Sequence, residues 1–261
     1  MIDWHRLFGL ALTDFFADSP FIVELEKDLS LKRQMLDVVI LHKKDGKMEE
    51  ELPEGLEDLA VHNLLTYKSL REPFDDWVLK ELTGHYVNYR KQVSSSFDNL
   101  LPEEQFRLYG ISTRFPRKMS SQMKLHPLSQ GVYDIIRGTD KIRLLVLSEI
   151  LENKRNTIWQ LFSGIAEKVR LAAGRYRKHT TEMSTIIYQL FEKYNLEGIN
   201  MPYTMEDFRK DLVMSHLDVL SPDDVLKRYS ADDVLKRYSA NDRLKGIPLE
   251  EIKEYLKQNH S

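Results

Sequence analysis

The chain has 261 residues, of which 42% are hydrophobic and 10% aromatic, with a formal net charge of −3 and no cysteine. That composition supports a real core, in one elaborated domain or two smaller ones, and excludes wholesale disorder, disulfides and thiolate metal sites. Its apolar runs are too short for a membrane span, and Asp3, His5 and Arg6 followed by an amphipathic pattern read against a signal peptide, so a cytoplasmic protein without a membrane partner is expected.

Trp4, Leu7, Phe8, Ala11, Leu12, Phe15 and Phe16 recur at three-to-four spacing and predict an opening helix, ended by Asp18, Ser19 and Pro20. A mixed segment leads to Gln34–Leu41, an apolar run that reads as the first strand, and the Asp-Gly of residues 43–46 offers a turn. Glu49–Asp58, acidic and interrupted by Pro53 and Gly55, reads as an exposed loop before a second strand at His62–Ser69. From Asp75 a helix is expected, with Val78, Leu82, Tyr86, Tyr89 and Val93 on one side. Phe106–Thr113 reads as a third strand weakened by Gly110, and Val132–Ile136 with Ile142–Leu147 flank a hairpin turn.

After about residue 150 the pattern becomes helical. One stripe is Ile158, Leu161, Phe162, Ile165, Val169, Ala172 and Tyr176; the next is Met183, Ile186, Ile187, Leu190, Phe191 and Tyr194. In the tail, Asp223–Ala231 recurs unchanged at Asp232–Ala240 and then decays. Nine residues make two and a half helical turns, so a continuous helix would put successive leucines Leu226, Leu235 and Leu244 on opposite sides. Short helices restarted at Ser221, Ser230 and Ser239 are the better reading, as a cap for the preceding helices or an array that recruits a protein partner.

Charge is unevenly spread. Residues 47–76 hold nine acids against three bases, whereas Arg114, Arg117, Lys118 and Lys124 fall within eleven residues free of acid. A second basic run comprises Lys168, Arg170, Arg175, Arg177 and Lys178. Such surfaces suit nucleic acid, and solvated helix faces explain them equally well. Scattered histidines offer no zinc spacing, and glycine-rich phosphate loops and G-x-S-x-G are absent, which removes support for zinc, nucleotide-cofactor and serine-hydrolase readings.

Asp37, between Leu36 and Val38, is a carboxylate in a buried-strand pattern. Burying an unpaired charge costs several kcal/mol, so a cation, a metal ion or a set of hydrogen-bond donors is expected beside it. Lys68 or Arg33 are the candidate cations.

Residues 35–40 (MLDVVI), then 63–69 (NLLTYKS), then a helix containing 85–92 (HYVNYRKQ) resemble the PD-(D/E)XK nuclease-like superfamily, and within it the recombination-promoting nuclease (Rpn) and transposase-like group. The similarity covers roughly residues 20–150, and the repeat tail is similar to tails on such proteins. The resemblance implies an α/β (α+β) fold, a restriction-endonuclease-like mixed sheet flanked by helices over residues 1–150, to which the chain's own periodicity adds a helical region over 151–215 and a short-helix repeat tail over 216–261. It also implies a DNA endonuclease dependent on Mg²⁺, or Mn²⁺, acting on mobile-element or foreign DNA. Asp37 would bind the metal with Glu24 or Glu26 and the Tyr67 main-chain carbonyl, and Lys68 would orient or activate water. Tyr89 and Gln92 would be accessory polar residues, and Arg114, Arg117, Lys118 and Lys124 a nucleic-acid surface. Thr66 stands where the second carboxylate belongs, and a neutral hydroxyl contributes no charge to Mg²⁺. The alternative is therefore a catalytically inactive nuclease-fold module that binds nucleic acid or a protein; a homo-oligomer is compatible with either.

Overall fold

The computed structural model describes residues 3–28, 35–42, 46, 48, 50–180, 182–201, 207, 210, 213–214 and 221–259, with the backbone alone at 26–28, 35 and 259. The apolar stripe at the start forms helix α1 (Trp4–Phe15), whose first turn is capped by the Asp3 carboxylate accepting from the His5 N–H. Gly9 lets this helix lie close on the sheet, since a Cβ there would stand 2.6 Å from Leu25 Cδ2. A left-handed Asp18, φ 60°, turns the chain after α1.

Strands β1 (Phe21–Asp28), β2 (Met35–His42) and β3 (His62–Lys68) follow, then helix α2 (Asp76–Val93), strand β4 (Phe106–Ser112), helix α3 (Arg117–Ser120), and strands β5 (His126–Ser129), β6 (Val132–Arg137) and β7 (Asp140–Val146). They make one seven-stranded sheet in the order β1-β2-β3-β4-β7-β6-β5. β3–β4 and β4–β7 are parallel and the other pairs antiparallel. A parallel pair needs a long crossover, and α2 supplies the one between β3 and β4.

Alternation along the strands splits the core in two. Val38, Ile40, Leu65, Tyr67, Tyr109, Ile111 and Leu145 meet α1 and the later helices α4 (Thr157–Leu161), α5 (Ala166–Arg175) and α6 (Met183–Leu196). Val39, Leu41, Leu64, Leu108, Ile142, Leu144 and Val146 meet α2 and Met119 of α3. The sheet is thus covered on both faces, and residues 3–28 and 151–201 contribute to the same cluster. Mixed α/β architecture with helices on both sides of a mixed sheet is as expected.

Four differences from the sequence reading have physical causes. The mixed segment before β2 contains β1, whose Phe21, Val23 and Leu25 alternate toward the core. β5, exposed throughout and interrupted by Pro127, carries no apolar pattern to reveal it. The acidic loop is not uniformly exposed: Pro53–Leu56 are buried. Asn156 Oδ1 accepts from the Glu54 N–H at 2.9 Å, Asn156 Nδ2 donates to Glu54 Oε2, and Trp159 Nε1 donates to the Glu54 carbonyl, so a distant helix start satisfies the loop backbone. Finally, the first helical stripe is two helices, because Gly164 at φ 69° breaks it and leaves Ile165 exposed. The turn expected at residues 43–46 lies outside the described residues apart from Gly46.

Residues 209–261 form a second compact unit. Helices α7 (Pro222–Leu226), α8 (Ala231–Leu235) and α9 (Ala240–Leu244) start at Ser221, Ser230 and Ser239, followed by α10 (Leu249–Asn259). Each serine hydroxyl accepts the N–H of the aspartate three residues on and donates to its carboxylate, at 2.5 to 2.7 Å. A nine-residue unit is therefore one turn of helix with its own cap. Leu226, Leu235 and Leu244 are about half exposed. Among the described residues no helix is long and apolar enough to cross a membrane.

Two outcomes follow from this packing. Gly110 faces α2 with no room for a side chain, a Cβ falling 2.3 Å from the buried Phe74 ring. Gly110→Ala should lose about 1–3 kcal/mol in urea unfolding, and less in a chain that already carries Phe74→Leu; equal losses in both backgrounds would remove this account. Deleting residues 221–261 should leave the remaining chain folded with a cooperative melt, and a molten product would contradict the reading of the repeats as an accessory.

Candidate functional site

The site lies where β2 and β3 part. Their ladder ends at Val38↔Leu65, and Leu36 and Val38, two residues apart, fill opposite core clusters. Alternation therefore breaks at Asp37. Its side chain replaces the missing ladder partner: Asp37 Oδ2 accepts the Tyr67 N–H at 2.8 Å and the Thr66 hydroxyl at 2.9 Å. Strand geometry sends the N–H and C=O of one residue to the same side, so the Tyr67 carbonyl also points toward this fork.

The cation beside Asp37 is His5, from the first turn of α1. His5 Nδ1 makes a close ion-pair contact with Asp37 Oδ1 at 2.8 Å, and Nε2 donates to Glu72 Oε1 at 3.1 Å. Glu72 Oε2 in turn accepts both the backbone N–H of Ser69, at 3.0 Å, and its hydroxyl, at 2.6 Å. The two carboxylates are held alike: each has its outer oxygen pinned by one hydroxyl and one backbone N–H, and each directs its inner oxygen at the same imidazole. Only the Nε2 contact has hydrogen-bond geometry, and with a carboxylate oxygen close to each ring nitrogen the two acids favour the protonated ring. Burial alone would lower the His5 pKa, and the contacts with both carboxylates and their charges outweigh it, raising it to about 10. The His5 hydrogen bond draws Glu72 down to about 2, against burial and with help from Ser69.

Lys68 ends β3 half-buried, and it forms none of the ion pairs among the described residues. It is therefore not the partner of Asp37, and Arg33 lies outside the described residues. The α2 side chain that senses the site is His85: its pKa is lowered by burial, with Glu81 and Asp37 raising it and Lys68 lowering it. Tyr89 does not reach Asp37. It is buried with its hydroxyl 3.1 Å from His62 Nδ1, at the opposite end of β3, and Gln92 follows one turn further on, exposed. Glu24 pairs with Val39 in the ladder, and its charge is felt by His62 and Tyr89, away from the fork. Leu25↔Val38 and Lys27↔Leu36 bracket Glu26 opposite Asp37, but its side chain lies outside the described residues.

The resemblance implies Mg²⁺, which takes near-octahedral oxygen ligands. As the side chains stand, the donor set does not fit it. Both Asp37 oxygens are occupied, Thr66 presents a hydrogen to Asp37 rather than a lone pair to an ion, and an imidazolium stands between the two acids. Among the described residues no group of three or more His, Asp or Glu side chains is arranged to hold a metal ion.

Beside the fork, Lys68 and Ser112 pair at the ends of β3 and β4, and the Thr113 N–H donates to the Lys68 carbonyl at 3.0 Å. Arg114 is the next residue. It and Arg117, Lys118 and Lys124 are exposed and belong to no ion pair among the described residues. In the second basic run Lys168 donates to the Ser148 and Ile150 carbonyls, Arg170 pairs with Glu167 and Arg177 with Glu50, while Arg175 and Lys178 belong to no ion pair among the described residues. Motif spacing does not reveal His5, whose neighbours in space are remote in sequence. Ser69 and Glu72 did leave a signal, the S-x-x-E pattern of a capped turn.

Comparison with known proteins finds no family model, no curated protein and no solved structure that matches the chain.

The Asp37–His5–Glu72 relay has a defined pH window. His5, raised from 6.5, contributes its full stabilisation below pH 6.5 and loses it as pH climbs toward 10. Glu72, lowered from 4.5, contributes fully above pH 4.5 and loses it as pH falls toward 2. The difference in melting temperature between the parent chain and His5→Ala should therefore be greatest between pH 4.5 and 6.5 and narrow on both sides. A difference independent of pH would mean that His5 acts through packing alone.

Proposed function

We propose that this chain is a nucleic-acid-binding module on a restriction-endonuclease-like scaffold, with an internal ion-pair relay in the position where hydrolytic relatives would hold a metal. The element order α1-β1-β2-β3-α2-β4, with β3 and β4 parallel and α2 between them, supports the scaffold. Asp37 at the fork and Lys68 at the end of β3 occupy the positions of the superfamily motif.

The observation that carries the binding function over the cutting one is the saturation of Asp37 by Thr66, Tyr67 and His5. The adjoining surface meanwhile offers exposed cations with no ion-pair partner among the described residues. Lysine and arginine with no protein anion beside them are available to phosphates, and phosphate neutralisation supplies most of sequence-independent affinity. In the second basic run Arg170 and Arg177 are already paired with acids, which leaves less charge for phosphates there.

A second reading keeps the enzyme: a Mg²⁺- or Mn²⁺-dependent DNA endonuclease of the Rpn-like group, favoured by Asp37 and Lys68 retaining their motif positions on neighbouring strands. Both are tested in one experiment, in which the purified chain is incubated with plasmid DNA and either ion, beside Asp37→Ala and Lys68→Ala. The expected result is no cleavage above that of the two variants, together with salt-sensitive duplex binding that weakens about tenfold or more when Arg114, Arg117 and Lys118 are changed to glutamate. Metal-dependent cutting abolished by Asp37→Ala would establish the second reading, and binding indifferent to the three charge reversals would remove the first.

A further inference from the structure

We propose that the repeat tail is a self-association surface, which docks antiparallel on the tail of a second copy of this chain. The grounds are the exposure, the charge order and the period of the tail, and they are independent of any nucleic acid.

Among the described residues 221–259 no side chain is buried, and only Val225, Val234 and Ile252 are partly covered. Helices α7, α8 and α9 have five residues each, too short to persist on their own backbone hydrogen bonds. Arrays of short repeats stand by stacking their apolar faces into a continuous core. Stacking within this tail does not complete one: Leu226, Leu235 and Leu244 remain about half exposed, and Tyr229 and Tyr238 more so. These side chains require a second surface.

The order of charges identifies that surface. Each of the two identical units places two acids before its leucine and two bases after it: Asp223 and Asp224 before Leu226, Lys227 and Arg228 after. The next unit repeats this with Asp232 and Asp233, Leu235, Lys236 and Arg237. Lys227 and Lys236 are engaged inside their own units, by Asp224 and Asp232, whereas Arg228 and Arg237 belong to no ion pair among the described residues. A parallel copy with leucines in register would set acid against acid and base against base. An antiparallel copy reverses the order. With Leu226 of one copy opposite Leu235 of the other, counting along the two chains sets Arg228 opposite Asp233 and Arg237 opposite Asp224. The same register sets Tyr229 opposite Asp232 and Tyr238 opposite Asp223, so that each phenol hydroxyl meets a carboxylate. The pairing is the same read from either copy, as a closed two-fold interface demands. A partner that matches both units at once must share their nine-residue period, and the tail itself carries it.

The test is sedimentation equilibrium of the full-length chain without nucleic acid, with far-ultraviolet circular dichroism alongside. The parent is compared with Arg228→Glu plus Arg237→Glu, with Asp224→Arg plus Asp233→Arg, and with Leu226→Ser plus Leu235→Ser. The parent should dimerise at concentrations below about 0.1 mM, less so as salt is raised from about 0.05 M to about 0.5 M. Each double variant alone should associate at least about tenfold more weakly. An equimolar mixture of the two charge-reversed chains should regain the dimer, because each then carries the sign that the other lacks. Should a reversed chain lose helix by itself, return of helix and dimer together on mixing supports the proposal, and failure to return overturns it. A parent that stays monomeric at about 0.1 mM, as it would with this face taken by its own chain or by a different protein, overturns it. So does a dimer indifferent to both pairs of reversals, or a mixture of folded reversed chains that does not associate.

Discussion

Asp37 is a carboxylate inserted where two strands separate, and the protein meets the cost of that insertion locally. In the interior an anion without partners is worth several kcal/mol of destabilisation, so every donor within reach is recruited. The Tyr67 N–H has lost its ladder partner at the same point, and one oxygen of Asp37 satisfies it. The other oxygen faces His5, which is shared with Glu72, which is anchored by Ser69. The N-terminal helix, the second strand and the turn after the third are thereby joined through one imidazolium.

That arrangement has consequences for chemistry. A lone pair that receives a hydrogen bond is not available to a metal ion, and an imidazolium between two acids excludes a second cation by charge as well as by volume. Thr66 contributes to the same outcome. An acid at that position would stand within hydrogen-bond distance of Asp37 and require an external cation to neutralise the pair, whereas the hydroxyl donates to Asp37 and needs none. The hydroxyl of Thr66 and the presence of His5 are in this sense coupled: both let the fork stand without a bound ion.

The basic stretch that begins at Arg114, next to the end of β4, holds cations without acid partners among the described residues. Several arginines and lysines of the described core are tied down: Arg143 and Lys141 by Asp134, Arg155 by Glu51, Glu54 and Glu57, and Arg90 by Glu103. Arg114, Arg117, Lys118 and Lys124 have no such partner among the described residues. Composition makes this visible as an acid-free stretch, and the contrast with Arg170 and Arg177, paired with Glu167 and Glu50, gives it meaning, since a cation already neutralised by the protein has little left for a phosphate.

The sequence by itself determined the elements whose signals are local. The three-to-four spacing of α1, α2 and α6, the Asp75 cap, the hairpin around Gly138 and the serine-started helices of the tail are all encoded within a turn or two of the residues that form them. It also marked Asp37 as needing a partner, because a charge in an apolar run is improbable without one. Who that partner is depended on the tertiary structure. Lys68 is nearer in the motif, yet the break in alternation at Asp37 turns the carboxylate toward α1, where His5 stands, a residue whose role no spacing in the chain announces. The buried face of the acidic loop and the distance of Tyr89 from the fork were decided in the same way, by Asn156, Trp159 and His62 arriving from remote parts of the chain. Hydrogen bonds and ion pairs between distant segments have no period, so only the folded backbone can specify them.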